Sequence, residues 1–218
     1  MNYHPKGMYT WDVWYLTHEE TVHAFYLQRK RPDSTRTDRE EDGIGHAIST
    51  NLVDWEELPN VLEPGEPGSL DDMNLFTGST FEFEGKFYLY YTMRSSVDNG
   101  LTQRIGLATS TDLFHWTKFE SNPVIVPDER WYHSIANPAQ GGIVDCRDLV
   151  IVPSPIGVGF YGFYAARIQS DEMPGGAVIA CVYSTDLISW EHLPPVFIPG
   201  KYTIIEVPDV FYLDGNGT

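Results

Sequence analysis

Three acidic residues stand where carboxylates could act as a set. They are Asp12 in Trp11-Asp12-Val13, Asp148 in Arg147-Asp148-Leu149, and Glu206 in Glu206-Val207-Pro208-Asp209. An apolar run rich in β-branched and aromatic residues follows each: Val13 to Leu16, Leu149 to Val152, and Val210 to Leu213. Such runs read as strands. Pro208 fixes its own φ and disfavours the helical region for Val207, so Glu206-Val207 is expected to be extended. A single glutamate entering a strand reads first as a surface residue. Three carboxylates at matching positions suggest chemistry. Brought together, one can attack carbon or activate water, a second can protonate a leaving oxygen, and a third can hold a sugar ring. Their mutual repulsion raises the pKa of one member and keeps it protonated as the acid.

Whether they meet depends on the elements that carry them, and an internal repeat sets those elements. The copies are Gly45-His46-Ala47-Ile48-Ser49-Thr50-Asn51-Leu52-Val53-Asp54-Trp55, Gly106-Leu107-Ala108-Thr109-Ser110-Thr111-Asp112-Leu113-Phe114-His115-Trp116, and Ala180-Cys181-Val182-Tyr183-Ser184-Thr185-Asp186-Leu187-Ile188-Ser189-Trp190. Each reads as a strand, a Ser-Thr-Asp/Asn turn that bonds its own backbone, a leucine, two residues, and a tryptophan. The Ser, Asp and Trp of these copies are structural in this reading, with Ser49, Ser110 and Ser184 at equivalent turns. Further strands lie upstream of each copy: Val13 to Leu16 and Val22 to Leu27, Ser79 to Phe83 and Phe87 to Thr92, Leu149 to Val152 and Gly159 to Ala165. Glu84-Gly85-Lys86 is a hairpin turn. About four short antiparallel strands per unit is the content of one propeller blade. The expected fold is an all-β β-propeller of three blades, with Val210 to Leu213 as the first strand of a fourth. It forms one incomplete catalytic-type domain over residues 1–218. Closed propellers have roughly four to eight blades. The chain is therefore expected to be a fragment, to be completed by a second copy, or to stay open. If it is naturally this short, its apolar edges predict a homo-oligomer.

Composition narrows the partners. The chain has 218 residues and a formal net charge of −17, which disfavours nucleic acid and anionic membrane surfaces. No apolar stretch is long enough to span a bilayer, and Met1 to Pro5 shows no signal-peptide core. Cys146 and Cys181 form neither a disulfide framework nor a Cys-x-x-Cys pair, so a cytoplasmic protein with reduced thiols is expected. The seven histidines lack ligand spacing, and no metal is assigned. The mixed-charge stretch Arg29 to Asp42 reads as a solvated loop, and Pro127 to Gly142 as a connection carrying Trp131.

From Tyr9 to Leu213 the sequence resembles the five-bladed propeller glycosidases that act on furanosides, chiefly family 32 (invertases and fructanases) and its relative family 68. Glu206-Val207-Pro208-Asp209 matches the family's Glu-Cys-Pro-Asp acid/base motif, and Arg147-Asp148 its Arg-Asp-Pro motif, with Leu149 in place of Pro. Trp11-Asp12 takes the place of the nucleophile motif Trp-Met-Asn-Asp-Pro-Asn-Gly, without Asn before the Asp and without Pro-Asn-Gly after it. Phe76-Thr77-Gly78-Ser79 is similar to Phe-Ser-Gly-Ser, and His23 to Gln28 to His-Leu-Phe-Tyr-Gln, with Gln28 one residue late. A one-residue slip reverses strand facing.

The resemblance implies a retaining β-fructofuranosidase. Asp12 would be the nucleophile, Glu206 the acid/base, and Asp148 the stabiliser of ring hydroxyls. Trp11, Arg147, Thr77, Ser79, Gln28 and Trp131 would bind substrate. An oligosaccharide or disaccharide is the implied substrate, and no cofactor is implied. Two other readings stand beside it: a family 43-like inverting arabinofuranosidase or xylosidase, and a propeller that binds carbohydrate without turnover.

Overall fold

The structure is a computed structural model that describes residues 3–35, 43–136, 142–168 and 176–212. Among these residues, twelve strands form three four-stranded antiparallel sheets in chain order. Blade one is β1 (Met8–His18), β2 (Thr21–Lys30), β3 (Ile44–Ser49) and β4 (Glu56–Leu62). Blade two is β5 (Asn74–Phe83), β6 (Lys86–Arg94), β7 (Arg104–Ser110) and β8 (Thr117–Lys118). Blade three is β9 (Cys146–Pro153), β10 (Phe160–Arg167), β11 (Ala177–Ser184) and β12 (Glu191–Phe197). Among the described residues the helical content is one short 3-10 turn, Ser96–Asp98. No helix there is long and apolar enough to cross a membrane. The innermost strand β5 touches both β1 and β9, so the first strands of the blades stand side by side around one axis.

The repeat builds the same device three times. Ser49 Oγ accepts the amides of Asn51 and Leu52, Ser110 Oγ those of Asp112 and Leu113, and Ser184 Oγ those of Asp186 and Leu187. The Asn51, Asp112 and Asp186 side chains each accept two further amides downstream. This bonding holds each motif leucine at positive φ, between 62° and 68°. Leucine rarely adopts such a conformation unless its surroundings impose it.

Those leucines show how the blades adhere. Leu113 of blade two is buried among Phe25, Leu27 and Ile44 of blade one. Leu187 of blade three is buried among Tyr88, Tyr90 and Leu107 of blade two. Tyr90 crosses the same boundary and donates its hydroxyl to the Leu187 carbonyl at 2.5 Å. Leu52, the equivalent in blade one, has no preceding blade among the described residues and is 62% exposed. Truncation should therefore act unequally on identical motif positions. Leu187→Ala is expected to cost ~2–5 kcal/mol in urea unfolding, and Leu52→Ala about 0.5 kcal/mol or less. Equal losses would show that the motif leucines do not hold blade to blade.

Two expectations need correction. Val210 to Tyr212 join no ladder, so the first strand of a fourth blade is not formed among the described residues; Leu213 lies outside them. A strand is stabilised by its neighbour, and among the described residues no further strand pairs with this segment. It runs beside blade three instead, with Tyr212 donating its hydroxyl to the Pro153 carbonyl. Val207 is not extended but sits at φ +49°. Its amide donates to Asp148 Oδ2 at 3.0 Å, a bond to a buried carboxylate that offsets the cost of a β-branched residue in the left-handed region.

Candidate active site

Each innermost strand carries one extra residue at the same level of the axis. On β1 the register skips from Trp11 to Val13, leaving Asp12 unopposed. On β5 it skips from Phe76 to Gly78, leaving Thr77. On β9, Asp148 and Leu149 together face the single residue Tyr164, and Asp148 has φ +60°. A β-bulge breaks the ladder locally and re-aims a side chain. Here three bulges present Asp12, Thr77 and Asp148 toward the axis. Gly78 makes the second one possible, because any Cβ there would overlap the Tyr90 carbonyl. The expectation that each acid heads its strand is thus corrected. Asp12 lies inside β1, Asp148 is the third residue of β9, and Glu206 lies in the unpaired segment after β12.

A cavity of about 420 Å³ collects the set. Asp12, Asp148 and Glu206 line it together with Trp11, Thr77 and Arg147. Thr77 donates its hydroxyl to Asp12 Oδ2, which joins blades one and two at the carboxylate. Arg147, itself buried, is the hub. Its guanidinium pairs with Asp145, approaches Asp148 Oδ2 at 3.6 Å, and meets Glu206 Oε1 at 3.1 Å. It also donates to Gln103 Oε1 at 3.1 Å. Arg167 of β10 pairs with Asp145 from the other side. The Glu206 side chain is 60% exposed, so its pairing with Arg147 is screened by solvent and serves orientation more than stability.

Burial drives the Asp148 carboxyl up from the usual 3.8 to about 6. The Val207 amide and Arg147 oppose that rise, and the charges of Asp12 and Glu206 add to it. One carboxyl of the three is therefore held part-protonated near neutral pH; it is Asp148, matched to the ring-hydroxyl partner, and burial rather than mutual repulsion is the main cause.

The remaining sequence candidates divide among places. Thr77 and Asp148 also line a second cavity of about 380 Å³, whose walls include Trp14, Ser79, Leu149 and Val207. Ser79 is there, with its Oγ buried and unbonded. Trp14 packs on Phe25 and donates to Thr80, as a structural residue would. Gln28 lines a third cavity of about 230 Å³ with Trp11, Phe76 and Arg94, its Nε2 donating to Asn60 Oδ1 at 2.6 Å. Trp11, Phe76 and Arg94 line the first cavity as well, so Gln28 borders a neighbouring cavity and not the one that holds the carboxylates. Trp131 lines none of the three. Its amide is tied to the Asp128 carbonyl, and burial of the adjacent Tyr132 turns it outward.

Asp145, Arg167, Gln103 and Arg94 were not singled out by the sequence. Asp145 could have been, since it directly precedes the strand that begins at Cys146 and stands two residues before Arg147, a spacing that shares a face in extended backbone. The others come from different strands and loops and carry no local signature.

Residues 12–217 match the family described as glycosyl hydrolases family 32 N-terminal domain. A fructan 1-exohydrolase of Aegilops speltoides is 29% identical over 178 residues, and one of Hordeum vulgare 30% over 179 residues. Each alignment covers 79% of this chain and 27% of the relative, so the chain spans about a quarter of the curated proteins it matches. Among solved structures, a mutant of the Bombyx mori GH32 beta-fructofuranosidase in complex with sucrose superposes with a TM-score of 0.66 at 27% identity. That match covers 91% of this chain and 38% of the other. A levansucrase mutant of B. megaterium superposes at 0.72 with 12% identity, covering 95% and 60%, which is likeness of fold alone.

Proposed function

We propose a function from one premise: the chain belongs to glycosyl hydrolase family 32. It is the site-bearing part of a glycosidase that hydrolyses β-fructofuranosides with retention of configuration. The observation that carries this reading is the convergence of Asp12, Asp148 and Glu206, from three separate segments, on one cavity bridged by Arg147. The sucrose bound to the Bombyx mori relative and the exohydrolase activity named for the cereal relatives support the substrate class.

In this mechanism the Asp12 carboxylate attacks the anomeric carbon while Glu206 gives its proton to the departing oxygen. A fructosyl ester on Asp12 results. Glu206, now a carboxylate, takes a proton from water, the water oxygen bonds to the anomeric carbon, and Asp12 leaves as the carboxylate. Thr77 holds Asp12 through its hydroxyl. Asp148 accepts or donates hydrogen bonds to ring hydroxyls, and Arg147 orients Asp148 and Glu206. Trp11, 41% exposed on the cavity wall, offers an apolar face to the sugar. Gln28 and Ser79 border it from the adjoining cavities.

The three blades act as one domain whose open apolar faces are covered in the working assembly, by a second copy if the protein is naturally this short. Buried, unpaired Cys146 and Cys181 support a cytoplasmic location. The test is turnover of sucrose, 1-kestose and inulin beside aryl arabinofuranosides, with the anomer of the first product read by NMR and the assembly state by sedimentation in the same buffer. Fructose released first as the β-anomer is expected. Release of the α-anomer would replace retention by inversion. Cleavage of arabinofuranosides alone would move the substrate class, and binding without turnover would leave a lectin-like propeller.

A further inference from the structure

The bulges that aim the carboxylates create a problem of their own. An extra residue in a strand loses its place in the ladder, and its backbone groups must bond elsewhere when buried. Thr92 on β6 is fully buried. Its hydroxyl donates to the Thr77 carbonyl at 2.8 Å and accepts the Asp148 amide at 3.2 Å. One side chain thus serves both bulges, in two different blades. A hydroxyl can do this because it is donor and acceptor at once.

We infer that Thr92 is a positioning residue of the carboxylate site, setting where Asp148 and, through Thr77, Asp12 stand. The chain of contacts is continuous. The Asp148 amide bonds Thr92, Thr92 bonds the Thr77 carbonyl, and the Thr77 hydroxyl bonds Asp12. Asp148 also needs this anchor because its φ of +60° is strained for a non-glycine residue. Thr92 lines none of the three cavities, so its role is to position residues that do. Its effect on turnover rests on the proposed glycosidase reading, whereas the tie itself does not.

The test compares Thr92→Val, which keeps the shape and loses the hydroxyl, with Thr92→Ser, which keeps the hydroxyl, in the intact protein. Amide exchange at Asp148 is followed by NMR, and kcat and KM are measured on sucrose. In the unsubstituted protein the Asp148 amide is expected to exchange slowly. Thr92→Val is expected to release it and to lower kcat ~10²-fold, the scale for a displaced reacting group, with a smaller change in KM. Thr92→Ser should restore both, which a simple packing role would not require. Fast exchange at Asp148 in the unsubstituted protein overturns the inference, even if the valine variant fails to fold. So does slow exchange retained in Thr92→Val, or no recovery in Thr92→Ser. If the unsubstituted protein turns over no fructoside, the glycosidase reading fails while the exchange data still decide the tie.

Discussion

Asp12→Asn is expected to abolish turnover of every fructoside, by roughly 10⁴-fold or more, as loss of a nucleophile does. An amide in that place keeps the shape and can still meet the Thr77 hydroxyl, but it cannot form the fructosyl ester. Glu206→Gln should behave differently. Protonation of the leaving oxygen contributes ~10²–10⁴-fold where the leaving group is a sugar alkoxide. An activated aryl fructofuranoside leaves without that help, so its first step should survive the substitution while sucrose turnover collapses. Measuring both variants on both substrates separates the roles. Equal loss of first-turnover leaving-group release for Glu206→Gln on the two substrates, read before the water step that also needs Glu206 as base, would remove its acid role, and full activity in Asp12→Asn would end the glycosidase reading.

Asp148→Asn should make the protein more stable near neutral pH while it loses activity. The sign follows from burial. The folded-state pKa of Asp148 is raised to about 6 from the usual 3.8. Its contribution to stability is therefore fully present below about 4 and is lost as pH rises through about 6. That shift corresponds to about 3 kcal/mol between the two limits. The asparagine cannot ionise, so the difference in unfolding free energy between the two proteins should move in its favour across pH 4 to 6 and level off above. The lost charge-assisted bond from Val207 subtracts from the gain. Urea unfolding of both proteins from pH 4 to 8 gives the difference directly, and it cancels the titration of the many other acids. A difference that moves the opposite way would mean that Asp148 behaves as an ordinary salt-bridged carboxylate. Stability given up to keep a buried acid beside two other carboxylates is the usual cost of a working site.

The architecture was legible from the residues because it is written locally and three times. Ser49, Ser110 and Ser184 bond amides two and three residues on, and no distant contact is needed to know what such a turn does. The strands before and after it follow from short runs of β-branched and aromatic residues bounded by turn residues. The acids themselves, Asp12, Asp148 and Glu206, were legible as types in matching contexts. Their convergence was not. A bulge is a mismatch of register between two strands, and neither strand alone contains it. Only the pairing of β1 with β2, β5 with β6 and β9 with β10 shows that Asp12, Thr77 and Asp148 are the unopposed residues. The same holds for Val207, where Pro208 argues for extended backbone and a bond to Asp148 imposes φ +49° instead. Thr92 is the extreme case. In the sequence it is one threonine in an apolar strand, and its role exists only because two bulges in two blades leave a carbonyl and an amide within reach of one hydroxyl. Local chemistry determined the elements and the acids; the register between strands, a long-range property, decided which side chains meet.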